Sequence, residues 1–469
     1  MVEQKYSRGM KVFGVVWFGQ LVSTLGSGLT GFALGVWIYQ ETGSTTLFAL
    51  NMLAYALPNL LVSPFAGVLA DRFDRRWVMV FSDSGAMVGT LVVLSLLLLG
   101  RLEIWQIYIA TALYSAANAF QWPAYSAATT MLVPKSQLGR AGGMVQIGEA
   151  ISQLVSPAVA GVLFVTIGLK GVIFIDFATF LVAIATLLLV RIPRPKGTPE
   201  ETAGKQPMLK EAVYGWKYII ARPGLFGLLL IFASTNFLSG LWNPLLAPMV
   251  LDMTDPQMLG FLASLIGVGM LLGTLVMSTW GGPRKRIHGV LGFLMIGGIF
   301  TMILGLRPSI PLMAAAGFGM MFVHPIVNGS SQALWQSKVA PAVQGRVFAV
   351  RRMIAWSTLP LAYITAGPLA DNVFRPLLVE GGALVDTLGP IFGIGPSRGT
   401  GLLISLIGLI TVLVTASGYL HPYIRRVEVE LPDVVDEQGQ VTPATPATPA
   451  ISGERAIKEE PFIQPGSAD

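Results

Sequence analysis

The sequence predicts an all-α membrane protein of twelve transmembrane helices arranged as two pseudo-symmetric six-helix bundles. Three observations carry this reading. Of 469 residues, 53% are apolar and only 12% charged; twelve uncharged or nearly uncharged stretches follow one another along the chain; and a segment near residue 133 returns 206 residues later. A soluble fold of this length normally carries about 25% charge, which excludes a water-soluble enzyme. The stretches run at about 12–40, 45–70, 77–100, 104–133, 142–169, 171–190, 224–251, 257–283, 287–306, 308–337, 347–370 and 400–421. Each is long enough for a helix to cross the hydrocarbon layer. They are continuous rather than alternating, so a barrel of strands does not fit. Lys5, Arg8 and Lys11 precede the first stretch without a small-residue cleavage pattern, so the first helix is expected to stay as an anchor.

Charge placement sets the orientation. With both termini in the cytoplasm, 26 Lys and Arg fall on the inner side and only 5 on the outer, namely Arg101, Lys170, Arg307, Arg375 and Arg398. That is a steep positive-inside bias. Trp37, Tyr39, Trp105 and Tyr108 at outer ends, and Trp77, Trp280, Tyr419 and Tyr423 at inner ends, fit interfacial belts. The expected location is the plasma membrane, the inner membrane of a bacterium, with many passes.

The repeat pairs VPKSQLGRA at 133–141 with VAPAVQGRV at 339–347. At the same offset Gly161 falls on Gly367 and Gly67 on Gly273, so two parallel bundles are the simplest reading. The halves are bounded as 1–190 and 223–425, separated by a cytoplasmic linker at 191–222. Within the linker, Leu209, Ala212, Val213, Trp216, Ile219 and Ile220 share one helical face, expected to lie along the membrane surface. Residues 426–469 are acidic and hold TPATPATPA, a composition that cannot build a core, and are expected to form a disordered cytoplasmic tail.

The loop after the second stretch, GVLADRFDRR at Gly67 to Arg76, resembles the inner-loop signature of the major facilitator superfamily, and the resemblance extends over nearly the whole chain. It implies the major facilitator fold and transport by alternating access. It also implies an inner-gate latch: Gly67, Asp71, Arg72, Arg75 and Arg76, with Asp71 meeting the start of the eleventh span after Gly345 and Arg346. Where the signature has Gly this chain has Asp74, which tolerates a left-handed turn better than most residues. In the fifth span Gly148, Ser152, Ser156, Pro157, Ala160 and Gly161 resemble the glycine and proline signature of antiporters, and small residues at that spacing let helices approach closely. ETGSTTLFAL, the paired Gly-Arg loops and PSRGTGLL are most similar to the bacterial drug, macrolide and enterobactin exporter branch.

Ionisable groups inside a span are costly and usually functional. Glu149 and Asp83 are the candidates for a proton-coupling acid. Asp83 has a second reading as partner of Arg72, Arg75 or Arg76, and Asp176 is read as a structural hydrogen-bonding residue near the outer surface. Arg351 and Arg352 are expected to snorkel to headgroups. Since the first, fourth, seventh and tenth helices line the cavity in this fold, the substrate cavity is assigned to Ser23, Ser27, Asn118, Trp122, Tyr125, Asn236, Trp242, Asn243, His324, Asn328 and Gln332. Such a wall suits a bulky, largely apolar ligand. His324 could titrate near neutral pH or be a capped structural residue.

The expected function is export of amphipathic small molecules, of drug, macrolide or siderophore type, by proton-coupled antiport. The alternatives are an importer or lipid flippase on the same fold, or a membrane sensor on a transporter scaffold. Partners are the small molecule, protons and the bilayer, without nucleic acid, and the chain is expected to act as a monomer. No enzyme activity, cofactor or metal is expected: there is no Cys, the three His are isolated, and no GxxxxGK[ST] loop occurs.

Overall fold

Backbone groups in lipid have no partner but one another, so continuous apolar stretches close into helices. The computed structural model describes residues 2–134, 137–190, 208–340 and 343–431, with side chains described for all of these except 2–8, 67–72 and 208–212. In chain order the helices are α1 Val2–Thr42, α2 Thr45–Arg72, α3 Arg75–Leu98, α4 Ile104–Leu132, α5 Leu138–Leu189, α6 Met208–Ile220, α7 Pro223–Leu251, α8 Pro256–Trp280, α9 Arg286–Leu306, α10 Ile310–Lys338, α11 Gln344–Pro368, α12 Val385–Phe392, α13 Pro396–Leu420, α14 Pro422–Arg425 and α15 Val427–Glu430. Among the described residues, nine of these are long and apolar enough to cross a membrane, and there is no strand.

The fifth and sixth expected spans share α5, 52 residues long and broken at Gly168, whose φ of 69° is left-handed. Glycine takes that conformation without the clash a Cβ would make, so the chain reverses direction there with no loop. Helices α4 and α11 are not among the nine, because each carries polar residues that lower its hydropathy, among them Gln121 and Thr129 in α4 and Arg351 and Arg352 in α11. Between Pro368 and α12 the chain makes a π-helical turn, Leu369–Phe374, then a single 3-10 turn, Arg375–Leu377.

In the first half α1 packs along both arms of α5, α2 packs on α4, and α3 on α4 and α5; in the second, α10 packs on α8 and α9, α13 on α9 and α7, and α7 on α11. Apolar layers sit at each end of each half. In the first half one layer gathers Phe13, Met79, Ala128 and Leu187 near the chain start, and the other gathers Ile38, Val93, Ile107 and Ile173 at the opposite end. Polar side chains lie between them, where burial without a partner is costly.

The halves meet through α5 with α8 and α2 with α11. A Cβ on Gly161 would collide with the Pro256 carbonyl at the start of α8, and one on Gly367 with the Thr46 backbone at the start of α2. Gly161 and Gly367 are the two positions that the sequence repeat superimposes, and each admits the first turn of the second helix of the opposite half. Ser264 adds a hydroxyl that accepts from Ala158 N and donates to the Leu154 carbonyl.

Two expectations shift. The tail was bounded at 426, yet residues 426–431 are ordered: Val427 is fully buried and the Glu428 carboxylate accepts from Arg286 N and Ile287 N at 3.0 Å, capping α9. An acid at a helix N-terminus satisfies orphan amides and meets the favourable end of the dipole. Residues 191–207 and 432–469 lie outside the described residues. Asp74 is not left-handed: at φ −63°, ψ 114° it is the N-cap of α3, accepting from Arg76 N.

Candidate functional site

A cavity of about 500 Å³ opens between the helices, toward the end of the molecule remote from the chain start. Its wall comes from Ser27 and Thr30 of α1, Phe48, Asn51 and Tyr55 of α2, Thr90 of α3, Thr111 and Tyr114 of α4, Asp176 of α5, Asn243 of α7 and Tyr363 of α11. Both halves therefore contribute. Tyr55 and Tyr114 stack with centroids 6.2 Å apart, and Thr111 donates to Asn51 at 3.0 Å.

Of the eleven residues assigned to the cavity from sequence, Ser27 and Asn243 line it. Ser23 is buried, and Asn118 and Asn236 are half-buried. Tyr125 and Trp242 are closed into apolar layers, Tyr125 with its hydroxyl unpartnered, and Trp122 is exposed. His324, Asn328 and Gln332 form an exposed stripe on α10. Asn328 and His324 bond at 3.1 Å, and Gln332 accepts from Arg351. The correction has one reason: the rule of four lining helices leaves out α2, α3, α11 and the second arm of α5, which supply Tyr55, Thr90, Tyr363 and Asp176. The sequence did hold a signal, an acid and two tyrosines inside spans.

Asp176 lies early in the second arm of α5 and is 1% exposed; its carboxylate accepts from Ser27 and Thr179 at 3.4 Å, with the Thr30 and Thr90 hydroxyls close by. Asp83 is also buried, and neither Arg75 nor Arg76 pairs with it: its carboxylate accepts from Gln20 and Gln121, each at 3.1 Å, while Arg72 lies among the side chains outside the described residues. Arg76 instead donates to the Leu187 and Leu188 carbonyls at 2.8 and 2.6 Å, capping the end of α5, and Arg75 donates to Met131 Sδ. Both arginines thus bind within their own half. Gly67, Asp71 and Arg72 of the expected latch lie among the side chains outside the description; Gly345 has open space around it, and Arg346 lies over the Tyr214 ring at 5.6 Å.

Glu149 is half-buried on α5 beside Tyr125. The rest of the fifth-span pattern packs: Gly148 meets Trp17 and Leu21, Ser152 and Ser156 donate to the Thr24 and Leu25 carbonyls of α1, Ala160 is fully buried, and Pro157 faces Gly260 of α8. Arg351 does not reach for headgroups. It donates to Ser331 at 2.9 Å and stacks over Trp335 and Phe232 at 5.0 and 5.7 Å. Stacking on aromatic faces suits a guanidinium better than an ammonium.

Sequence reasoning missed the cluster that closes the end of the molecule remote from the chain start. Asp371 accepts from Thr45 N at 3.2 Å, from Thr46 N and Oγ1 at 2.8 Å, and from Ser44 Oγ at 3.0 Å, capping α2 from the other half. Arg375 ties Asp371 at 3.3 Å to Asp252 at 3.2 Å and to the Gly43 carbonyl at 2.9 Å, and Tyr39 Oη donates to Asp252 at 2.6 Å. Burial pushes the Asp371 carboxyl up, but the hydrogen bonds from Thr46, Thr45 and Ser44 outweigh it and hold it below the usual carboxylate range. Ser264 adds further hydrogen bonds between the halves.

No group of three or more potential metal ligands occurs among the described residues. A multi-pass helical body with a cavity walled by both halves, and joined across one end by a cross-half cluster, defines a membrane carrier of small molecules. The chain belongs to the Major Facilitator Superfamily, whose model matches residues 16–363, and is a secondary transporter. It is 29% identical over 377 residues to macrolide efflux protein A of Streptococcus pyogenes, covering 79% of this chain and 92% of that one. It is 30% identical over 326 residues to the Enterococcus faecalis protein of the same name, covering 68% and 99%. Multidrug efflux pump Tap of Mycolicibacterium fortuitum is 25% identical over 369 residues, covering 76% and 88%. Among solved structures, an inward-facing, unoccupied bacterial homologue of the human lysosomal transporter Spinster superposes with a TM-score of 0.65 at 15% identity, over 87% of this chain and 96% of that one. The nucleoside transporter NupG gives 0.63 at 11%, over 89% and 99%. These last two likenesses concern the fold alone.

Proposed function

We propose that the chain exports amphipathic small molecules from the cytoplasm, using twelve spans in two six-helix bundles that rock about the cavity between them, driven by proton antiport. The observation that carries this is the cavity itself: aromatic and hydroxyl-lined, fed by both halves, and lying under the cross-half cluster. A wall of that kind accepts an apolar body with few polar groups. The twelve spans follow from the nine apolar helices, the second arm of α5 beyond Gly168, and the two polar-faced helices α4 and α11. The basic-residue bias puts both termini in the cytoplasm, so the cluster at Asp371 is the outer gate, and the loop Gly67 to Arg76 with Gly345 and Arg346 is the latch of the opposite state. The likeness to macrolide and multidrug efflux proteins supports export over import.

The test is a resistance panel. Cells lacking their own exporters are given this chain and challenged with dyes, macrolides and catecholate siderophores, with and without an uncoupler. Resistance lost on uncoupling is the expected result. Uptake into cells, or resistance indifferent to the uncoupler, would overturn the reading. Glu149, half-buried and without a hydrogen-bond or ion-pair partner among the described residues, is the coupling acid in this proposal, with Asp83 behind it. Glu149→Gln is expected to lower gradient-driven efflux at least tenfold while leaving gradient-free counterflow of the same ligand within about twofold.

A further inference from the structure

The cavity wall carries a carboxylate whose charge no residue of the chain answers. Asp176 is 1% exposed, and no lysine or arginine pairs with it among the described residues. Its two side-chain hydrogen bonds within 3.5 Å, from Ser27 and Thr179, are both 3.4 Å long and both end on Oδ1. The hydroxyls of Thr30 and Thr90, on the same wall, lie close to the carboxylate as well, and all four neighbours are neutral. Gly26 lets α1 close against Asp176 and Thr179 from behind, while the front of the carboxylate belongs to the cavity.

An ionised group at this depth is costly unless neutralised. Neutralisation comes from a proton, a bare metal cation or a cationic ligand, and the surroundings decide among them. A single water occupies about 30 Å³, so a bare ion would leave most of the 500 Å³ empty. The wall also carries four aromatic rings, those of Phe48, Tyr55, Tyr114 and Tyr363. Ring faces attract organic cations and also pack against apolar bodies.

We propose that this cavity binds an organic ammonium ion, with its N–H donating to Asp176 and its apolar body lying along Phe48, Tyr55, Tyr114 and Tyr363. The proposal rests on the export reading above and adds the charge that the ligand carries. Thr30 Oγ1, beside the carboxylate, supplies a second acceptor for the ammonium.

The experiment uses the full chain in lipid nanodiscs, without any gradient, and two fluorescent probes. Dansylcadaverine has a primary ammonium on an apolar body; N-pentyl-dansylamide is its uncharged counterpart. The unaltered chain is expected to bind the ammonium at least tenfold tighter than the neutral probe. Asp176→Asn is expected to remove that preference and leave the neutral probe within about twofold. Equal affinity for the two probes in the unaltered chain overturns the proposal, and so does an equal loss of both in Asp176→Asn. Carbodiimide labelling of Asp176 in the unaltered chain gives a readout independent of any variant's folding. Protection by dansylcadaverine but not by N-pentyl-dansylamide supports the proposal; protection by sodium chloride alone, or by neither probe, overturns it. Because binding is read without a gradient, ammonium selectivity in a chain that exports nothing would remove only the export reading. Export of the neutral probe, with no ammonium preference, would remove only this inference.

Discussion

Asp371 works for a helix it does not belong to. The amides of Thr45 and Thr46 are orphans at the start of α2, and Asp371 reaches them from the far side of the interface at 3.2 and 2.8 Å. A carboxylate cap is worth about 1 to 2 kcal/mol over a neutral one in a partly buried setting. Asp371→Asn is therefore expected to shift the ratio of closed to open outer gate about tenfold toward open, read as longer spin-label distances across that end. The pH dependence follows from the sign of the shift. The carboxyl is held below its usual range in the closed state, so its contribution is whole above about pH 4 and is lost as pH falls through the lowered value. Outer-gate distances of the unaltered chain are thus expected to stay constant from pH 8 to pH 5 and to lengthen only in stronger acid. A gate opening near neutral pH would mean that another group governs it.

Helices here touch at points chosen by the absence of side chains. Gly161 and Gly367, equivalent in the repeat, each receive the backbone of a helix from the opposite half. A side chain at either position meets backbone that cannot yield, and such overpacking costs about 1 to 3 kcal/mol. Gly161→Val and Gly367→Val are expected to give folded protein with transport reduced tenfold or more, each with the outer end held apart. If either variant transported normally, the close approach would be incidental. The α5 break at Gly168 is a different use of the same residue, a reversal of direction that no other side chain takes without strain.

On the scale of the whole molecule, the two halves are joined at one end among the described residues, and alternation requires that this joint open. The chain has no Cys, so a pair introduced at Tyr39→Cys and Asp252→Cys, whose side chains meet at 2.6 Å, can be bridged by a short bis-thiosulfonate without background. Bridging is expected to stop transport and reduction to restore it. Transport that persists through a bridged gate would end the alternating-access account.

The sequence by itself determined where this chain resides and what it is made of. The apolar stretches mark the helices, the basic residues point to a side, and the 206-residue offset matches glycines that the structure puts to equivalent use. These are properties of single residues or of periodic rows, and each residue's preference for lipid or water is legible alone. Partnership was not. That Asp371 caps a helix more than 300 positions away, that Asp83 meets two glutamines, and that Tyr55, Tyr363 and Asp176 share one cavity were decided only by tertiary structure. The physical reason is range: hydrogen bonds and ion pairs act over about 3 Å, and which groups come that close depends on how the helices cross.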